Sequence, residues 1–247
     1  MNIKDCDVNI RELRSISDNL FNLLNKFDEV KASLDNIDVS KLERNGFKVY
    51  IYNDFDGVAS ILSNRLDGEI YYLDRFESSI VGSKIGGVPV TSVDDIDWYK
   101  IRFCISYVDL IAVDIGSLIF LEDSCLTNVT SYPEQLYIVS SIHRLTHKFI
   151  DSFELIYNLN RLFGNSFLIR VVSAPSRTGD IEKKIVYGAH GPKDIYIYLV
   201  RDTLDPVDIF MSYSTLKYFD SEMCLRSRGY TLDRFINRFH GYSYILD

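Results

Sequence analysis

The sequence is poor in the features that mark several large functional classes. Only four of its 247 residues are cysteine, at positions 6, 104, 125 and 224, and none lies within three residues of another. That spacing excludes a C-x-x-C ligand pair for zinc or an iron–sulfur cluster, and in a reducing compartment it reads as four free thiols. Positive charge is also in deficit: 27 Lys+Arg against 35 Asp+Glu leave a net charge of −8. Such a chain lacks the basic face that nucleic acid requires. No apolar run approaches the ~18 uninterrupted residues of a membrane span. The opening Met1-Asn2-Ile3-Lys4-Asp5-Cys6-Asp7 lacks the basic-then-apolar order of a signal peptide. The expectation is a cytoplasmic protein with neither a nucleic-acid nor a membrane partner.

Three short segments imitate ligand motifs and fall short of them. Asp54-Phe55-Asp56-Gly57 lacks the further acidic positions and closing Glu of a calcium loop, and reads as a turn. His143 and His147 are spaced i, i+4, but Arg144 stands where a zinc protease carries Glu, and no third ligand is evident. They read as a solvated pair near a strand end. Gly82-Ser83-Lys84-Ile85-Gly86-Gly87 fits neither a phosphate loop nor a dinucleotide fingerprint and reads as a turn. No metal site and no cofactor are expected.

What is present is a folded-protein composition, 47 % hydrophobic and 25 % charged. Leu13, Ile16, Leu20, Leu23, Phe27, Val30 and Leu34 alternate spacings of three and four, an amphipathic helical stripe within residues 1–41. From residue 42 the pattern changes to short apolar runs: 48–52, 70–73, 103–106, 110–113, 117–121, 136–139, 167–172 and 195–200. A helical run follows Gly57, and a longer helix fits 151–163. Strands apolar nearly throughout imply a sheet buried on both faces, so residues 42–202 read as an α/β domain with a largely parallel sheet. Residues 203–247 read as a helical appendage, with Asp205-Pro206 opening one helix and Thr231 capping another. The two terminal segments offer apolar faces suited to an interface, such as a homo-oligomer.

The richest chemistry lies between 173 and 192. After the 167–172 strand come Ser176-Arg177-Thr178-Gly179-Asp180-Ile181-Glu182, then Gly188-Ala189-His190-Gly191-Pro192. A short helix is expected to start near Thr178 or Gly179. Two readings stand side by side. In one, a strand end and a helix start present N–H groups and the Arg177 fork to an anion, with His190 nearby. In the other, Ser and Thr cap the helix, Asp180 and Glu182 favour its positive end, and Arg177 pairs with one of them.

These residues strongly resemble the S-R-T-[AG]-D-I-E … G-x-H-G-P signature of the LUD-domain (lactate utilisation) family, most closely its C-type subunit. Ile111-Ala112-Val113-Asp114-Ile115-Gly116-Ser117-Leu118 is similar to the family's A-I-A-[ED]-T-G-T-L stretch, with Ile115 and Ser117 at its two Thr positions. The resemblance implies a layered α/β/α fold like the ribose-5-phosphate isomerase and CoA-transferase group, here with terminal helices. It implies a role beside iron–sulfur subunits that oxidise L-lactate to pyruvate. On that basis His190 and Asp114 are the candidate catalytic residues. Ser176, Arg177, Thr178, Asp180, Glu182, Gly116, Ser117 and Gly191 are the candidate contacts to a small carboxylate or phosphate. The competing expectation is a stand-alone α/β enzyme or a binding protein for a small anionic metabolite, such as a sugar phosphate or an acyl-CoA.

Overall fold

The computed structural model describes residues 38–91, 101–122, 128–162, 167–179, 185–187 and 191–201, with Asn22, Leu23, Lys26, Glu29, Ile96, Asp97 and Leu126. The expected appendage at 203–247 lies outside these residues. So does most of the expected helix before residue 41. Of that segment Asn22, Leu23, Lys26 and Glu29 are helical, and Lys26 Nζ lies 2.5 Å from the Glu154 carboxylate.

Six strands form one wholly parallel sheet. In chain order they are β1 (Lys48–Tyr52), β2 (Ile70–Leu73), β3 (Val88–Val90), β4 (Phe103–Ser106), β7 (Gln135–Ser141) and β12 (Asp194–Val200). Across the sheet the order is β1-β12-β7-β4-β2-β3. Period-two alternation sorts their side chains onto two buried faces. On one face Phe103, Ile105, Tyr137, Val139, Tyr196, Tyr198 and Val200 pack against α2 (Phe55–Arg65) and α3 (Phe76–Lys84). On the other, Cys104, Leu136, Ile138, Ile195, Ile197 and Leu199 meet a second sheet. Burial on both faces explains why the strands read as continuous apolar runs. It also pushes the Cys104 thiol up to about 12, far from any nucleophilic role.

The second sheet has four strands in the order β8-β5-β6-β9: β8 (Leu145–Thr146), β5 (Leu110–Ala112), β6 (Ser117–Glu122) and β9 (Leu168–Val172). Only β5 and β8 are parallel; β6 runs antiparallel to β5 and β9. Its inner residues Ile111, Leu118 and Phe120 join the core over the parallel sheet. α4 (Phe149–Leu162) packs on β5 and β6. The protein is thus a layered α/β structure with a second sheet interposed on the face away from α2 and α3. A short helix, α1 (Ser40–Arg44), precedes β1.

Two turn readings give way to helices. Asp54 is the N-cap of α2, its Oδ1 accepting the Gly57 N–H at 2.7 Å. Gly82 lies inside α3, where an added Cβ would stand 2.1 Å from the Tyr72 ring; the helix packs so close to β2 that only glycine fits. The turn begins only at Ile85. α3 has few apolar residues to announce it, because one side of its first turn is ionic.

That first turn carries Glu77, fully buried, which grips the equally buried Arg144 in a fork: Nε–Oε1 2.6 Å and Nη2–Oε2 2.8 Å. Arg144 Nη1 donates to the Asp109 carbonyl at 3.3 Å. The Asp109 carboxyl is buried as well. Its Oδ2 accepts the Leu121 N–H at 2.5 Å, while Oδ1 has no partner among the described residues. Desolvation pushes this carboxyl up to about 7, Glu77 adding to the rise, with Arg144, the Leu121 N–H and Arg75 opposing it. An unfolded Asp titrates near 3.8. Between the two values the folded chain holds a proton that the unfolded chain has released, so this group's contribution falls as pH rises through the window and levels off above about 7. Asp109→Asn removes the titration. Relative to the parent protein, its urea midpoint is expected to rise from pH 5 to about pH 7 and then level off; a constant difference across that range would contradict the assignment.

Candidate functional site

The segment singled out in the sequence forms a hairpin. β10 (Arg177–Gly179) pairs antiparallel with β11 (Ile185–Tyr187), Arg177 opposite Tyr187 and Gly179 opposite Ile185. No helix starts at Thr178 or Gly179, so the expected helical start is replaced by a strand. The apolar Ile185-Val186-Tyr187 run supplies a partner strand, and extended pairing satisfies the backbone that helical capping was expected to satisfy. The helix-based forms of both readings fall with it. Asp180, Glu182 and His190 lie outside the described residues, as do the side chains of Arg177 and Thr178.

The hairpin brings the two halves of the motif together at its base. Ser176 N–H donates to the Pro192 carbonyl at 2.9 Å. An added Cβ on Gly191 would come 3.5 Å from Ser176 Cβ. Ser117, from the upstream match, joins them: its Oγ lies 2.7 Å from Ser173 Oγ, an extension of the β6–β9 register in which Leu118 faces Val172.

Ser176 and Gly191 line a crevice of about 270 Å³ between the two sheets. Its walls include Leu118 and Phe120 of β6, Arg170 and Val172 of β9, Leu136 of β7 and Ile195 of β12. Ser131, Thr130, Ala174 and Pro192 complete it. Leu136 and Ile195 are second residues of their strands, so the crevice sits at the amino ends of β7 and β12. A ligand site was expected at a strand carboxyl end, by the rule for open parallel sheets. β9 belongs instead to the mixed sheet, where that rule has no force.

Among the described residues that line this crevice, Arg170 is the charged one, and it is not among the candidates named from the sequence. Its side chain is 16 % exposed, and its Nη2 pairs with the Glu122 carboxylate. Nη1 donates to Ser131 Oγ at 2.5 Å, and the guanidinium lies 5.1 Å from the Phe120 ring centroid. Burial pulls the guanidinium below its usual range, with Glu122 opposing that shift. Glu122 is held independently of Arg170. Its Oε2 accepts the N–H of Asn128, which sits in the left-handed region at φ 63°, and Thr130 Oγ1 approaches Oε1 at 3.4 Å. A signal was available: one arginine interrupts an otherwise apolar strand at 167–172, and a buried cation needs a partner.

The other upstream candidates have structural partners. Asp114 Oδ1 accepts the Phe149 N–H at 2.9 Å, satisfying the first free donor of α4, and its carbonyl accepts from Lys41. Gly116 has φ +66°, and an added Cβ would come 2.9 Å from the Lys41 carbonyl. Asn45 Nδ2 donates to the Ile115 and Gly116 carbonyls at 2.9 Å. This β5–β6 turn is therefore clamped against α1 and α4 and does not line the crevice. His143 is half-buried in the turn after β7 and His147 is exposed. Among the described residues no group of three His, Cys, Asp or Glu is placed to hold a metal, and no helix is long and apolar enough to cross a membrane.

Fold and site together define a layered α/β protein with one polar-rimmed crevice between its sheets. The model of the LUD domain matches residues 98–200, under half of the chain. All the crevice residues fall inside that match. An uncharacterized protein of Neisseria meningitidis serogroup B is 31 % identical over 75 residues, 30 % of this chain and 30 % of that protein. The matched stretch thus spans under a third of the relative's length. A solved DUF162 family protein from Deinococcus radiodurans superposes with a TM-score of 0.46 at 7 % identity, covering 72 % of this chain and 96 % of that one.

Two substitutions separate architecture from ligand contact. Asp114→Ala is expected to lower stability by about 0.5–2 kcal/mol through the lost cap, and Asp114→Asn by much less, read as urea midpoints. Gly116→Ala is expected to cost about 1–3 kcal/mol from its strained φ and its clash with Lys41, with the crevice's ligand affinity unchanged.

Proposed function

We propose that this chain is a subunit of an iron–sulfur L-lactate oxidation system, and that its crevice holds the small carboxylate. The observation that carries the reading is the LUD-domain match at 98–200, whose own strands β6, β7, β9 and β12 build the crevice walls. A cationic residue beside hydroxyls suits a carboxylate. The chain's four cysteines are too scattered to ligate a cluster, so electrons would pass to partner subunits. In this reading Arg177 and Thr178 are contacts to the acid, and His190 carries the proton of the hydroxyl group.

The decisive experiment is affinity purification of the intact chain from its own host, under anaerobic conditions, after growth on lactate. Co-purification with proteins bearing repeated C-x-x-C motifs is expected. Lactate-dependent dye reduction is expected from the assembled fraction and not from the chain alone. In that assembly His190→Asn is expected to reduce turnover more than it weakens lactate binding. Purification of the chain without iron–sulfur partners, or robust dye reduction by the pure chain, would refute the subunit reading.

A chain that purifies without iron–sulfur partners and still binds its acid would instead favour the second reading, a stand-alone protein for a small anionic metabolite. The polar hairpin base at Ser176 and Gly191 is the observation in its favour, because it needs no second chain to close.

A further inference from the structure

Resting on the reading that this crevice holds the acid, we infer that it selects a monocarboxylate with an apolar tail, with Arg170 as the carboxylate contact and Glu122 as the counter-ion that limits the ligand to one negative charge. Among the described residues that line the crevice, Arg170 is the one cation. Its guanidinium is only partly engaged: Nη1 goes to Ser131, Nη2 faces Glu122, and the buried Nε has no partner among the described residues. An arriving carboxylate oxygen can therefore gain a charge-assisted bond by a modest shift of the fork.

Glu122 sets the charge limit. It is tied to Asn128 and Thr130, so it stays beside Arg170 whether or not a ligand is present. A monoanion meets a guanidinium whose charge Glu122 already balances, and shares its donors with that carboxylate. A phosphate dianion would bring a second charge against the Glu122 carboxylate in a poorly solvated place. Among the described residues the lining also lacks what phosphate sites use. Its backbone comes from strands and loops, and its one helical piece is the three-residue turn Val129–Ser131, too short to present a row of N–H groups. This argues against a sugar phosphate or an acyl-CoA phosphate in the crevice.

The tail follows from the remaining walls. Leu118, Phe120, Leu136, Val172 and Ile195 form the apolar side. The volume of about 270 Å³ is near the lower end of the ~300–1,000 Å³ of small-molecule sites. A three-carbon hydroxy acid leaves much of that surface uncovered, whereas a branched five- or six-carbon acid covers it.

Titration calorimetry on the full chain tests this with four probes: L-lactate, 2-hydroxy-4-methylpentanoate, inorganic phosphate and ribose 5-phosphate. Both carboxylates are expected to bind, the branched one roughly tenfold or more tighter, and neither phosphate. Arg170→Lys keeps the charge and loses the fork, so carboxylate affinity is expected to fall by about tenfold or more. Glu122→Gln keeps one acceptor oxygen and removes the charge, so phosphate binding is expected to appear. Ala174→Trp, at an exposed position on the crevice rim, is expected to abolish carboxylate binding and decides the matter if Arg170→Lys does not fold. Binding of either phosphate to the parent chain, or carboxylate binding untouched by Ala174→Trp, would overturn the inference. So would no acid binding at all, even if the chain still co-purifies with iron–sulfur proteins. Failure of that co-purification, with these titrations as expected, would overturn only the subunit reading.

Discussion

The Glu77–Arg144 pair is the joint on which the layers depend. Two charges with no exposure to water are tolerable only because each guanidinium and carboxylate atom in the fork finds a partner at 2.6–2.8 Å. Glu77 comes from the start of α3, Arg144 from the turn after β7, and Asp109 from the link between the two sheets. Asp109 then reaches Leu121 in β6. One connected network thus ties the helical layer, the parallel sheet and the mixed sheet. Removing one partner of such a pair leaves an uncompensated buried charge, typically a loss of about 3–5 kcal/mol. Hydrophobic burial supplies more of the total stability, but it is not directional. The ionic fork fixes how α3 and the second sheet are oriented.

That orientation decides where a ligand can sit. In an open parallel sheet flanked by helices, the carboxyl ends of the strands offer the natural crevice. Here those ends carry the Glu77–Arg144–Asp109 network along with buried Ser106, Ser140 and Ser141. The mixed sheet covers the opposite face, and between it and the amino ends of β7 and β12 a gap remains. Arg170 and Glu122, offset by two positions in the β6–β9 register, put their charges beside that gap. The two ionic groups therefore divide the labour: one closes the far end of the molecule and the other equips the near end.

Much of the fold was legible because the strands obey one rule. Residues 103–106, 136–139 and 195–200 are apolar on both faces, and the structure buries both faces. The parallel sheet follows from that pattern. Its extent does not: β1 pairs with β12 across more than half the chain, and no local signal carries that register. α3 escaped notice because its stabilising contacts are Glu77 with Arg144 and Gly82 against Tyr72, neither of which is an apolar stripe. The strand at Arg177–Gly179 reads locally as a helix start because Thr, Gly and Asp in sequence imitate a capping site, while its partner strand begins only at Ile185.

The site was half legible for a related reason. Motif residues that meet through backbone, Ser176 with Pro192 and Gly191, are adjacent in space because the hairpin folds the motif onto itself. Their grouping survives without knowledge of the tertiary structure. Arg170 and Glu122 are 48 positions apart, and nothing in either local stretch names the other. Yet the physical demand was visible from one side: an arginine inside an apolar strand must be paired, exposed or functional. Asp114 shows the converse. It is an acid next to a glycine in a recognisable stretch, and the structure gives its carboxylate to the first turn of α4. A motif acid can stand near a site because it holds the scaffold there. The distinction between holding and contacting lies in which atoms face the crevice, and among the described residues Arg170 lines it while Asp114 does not.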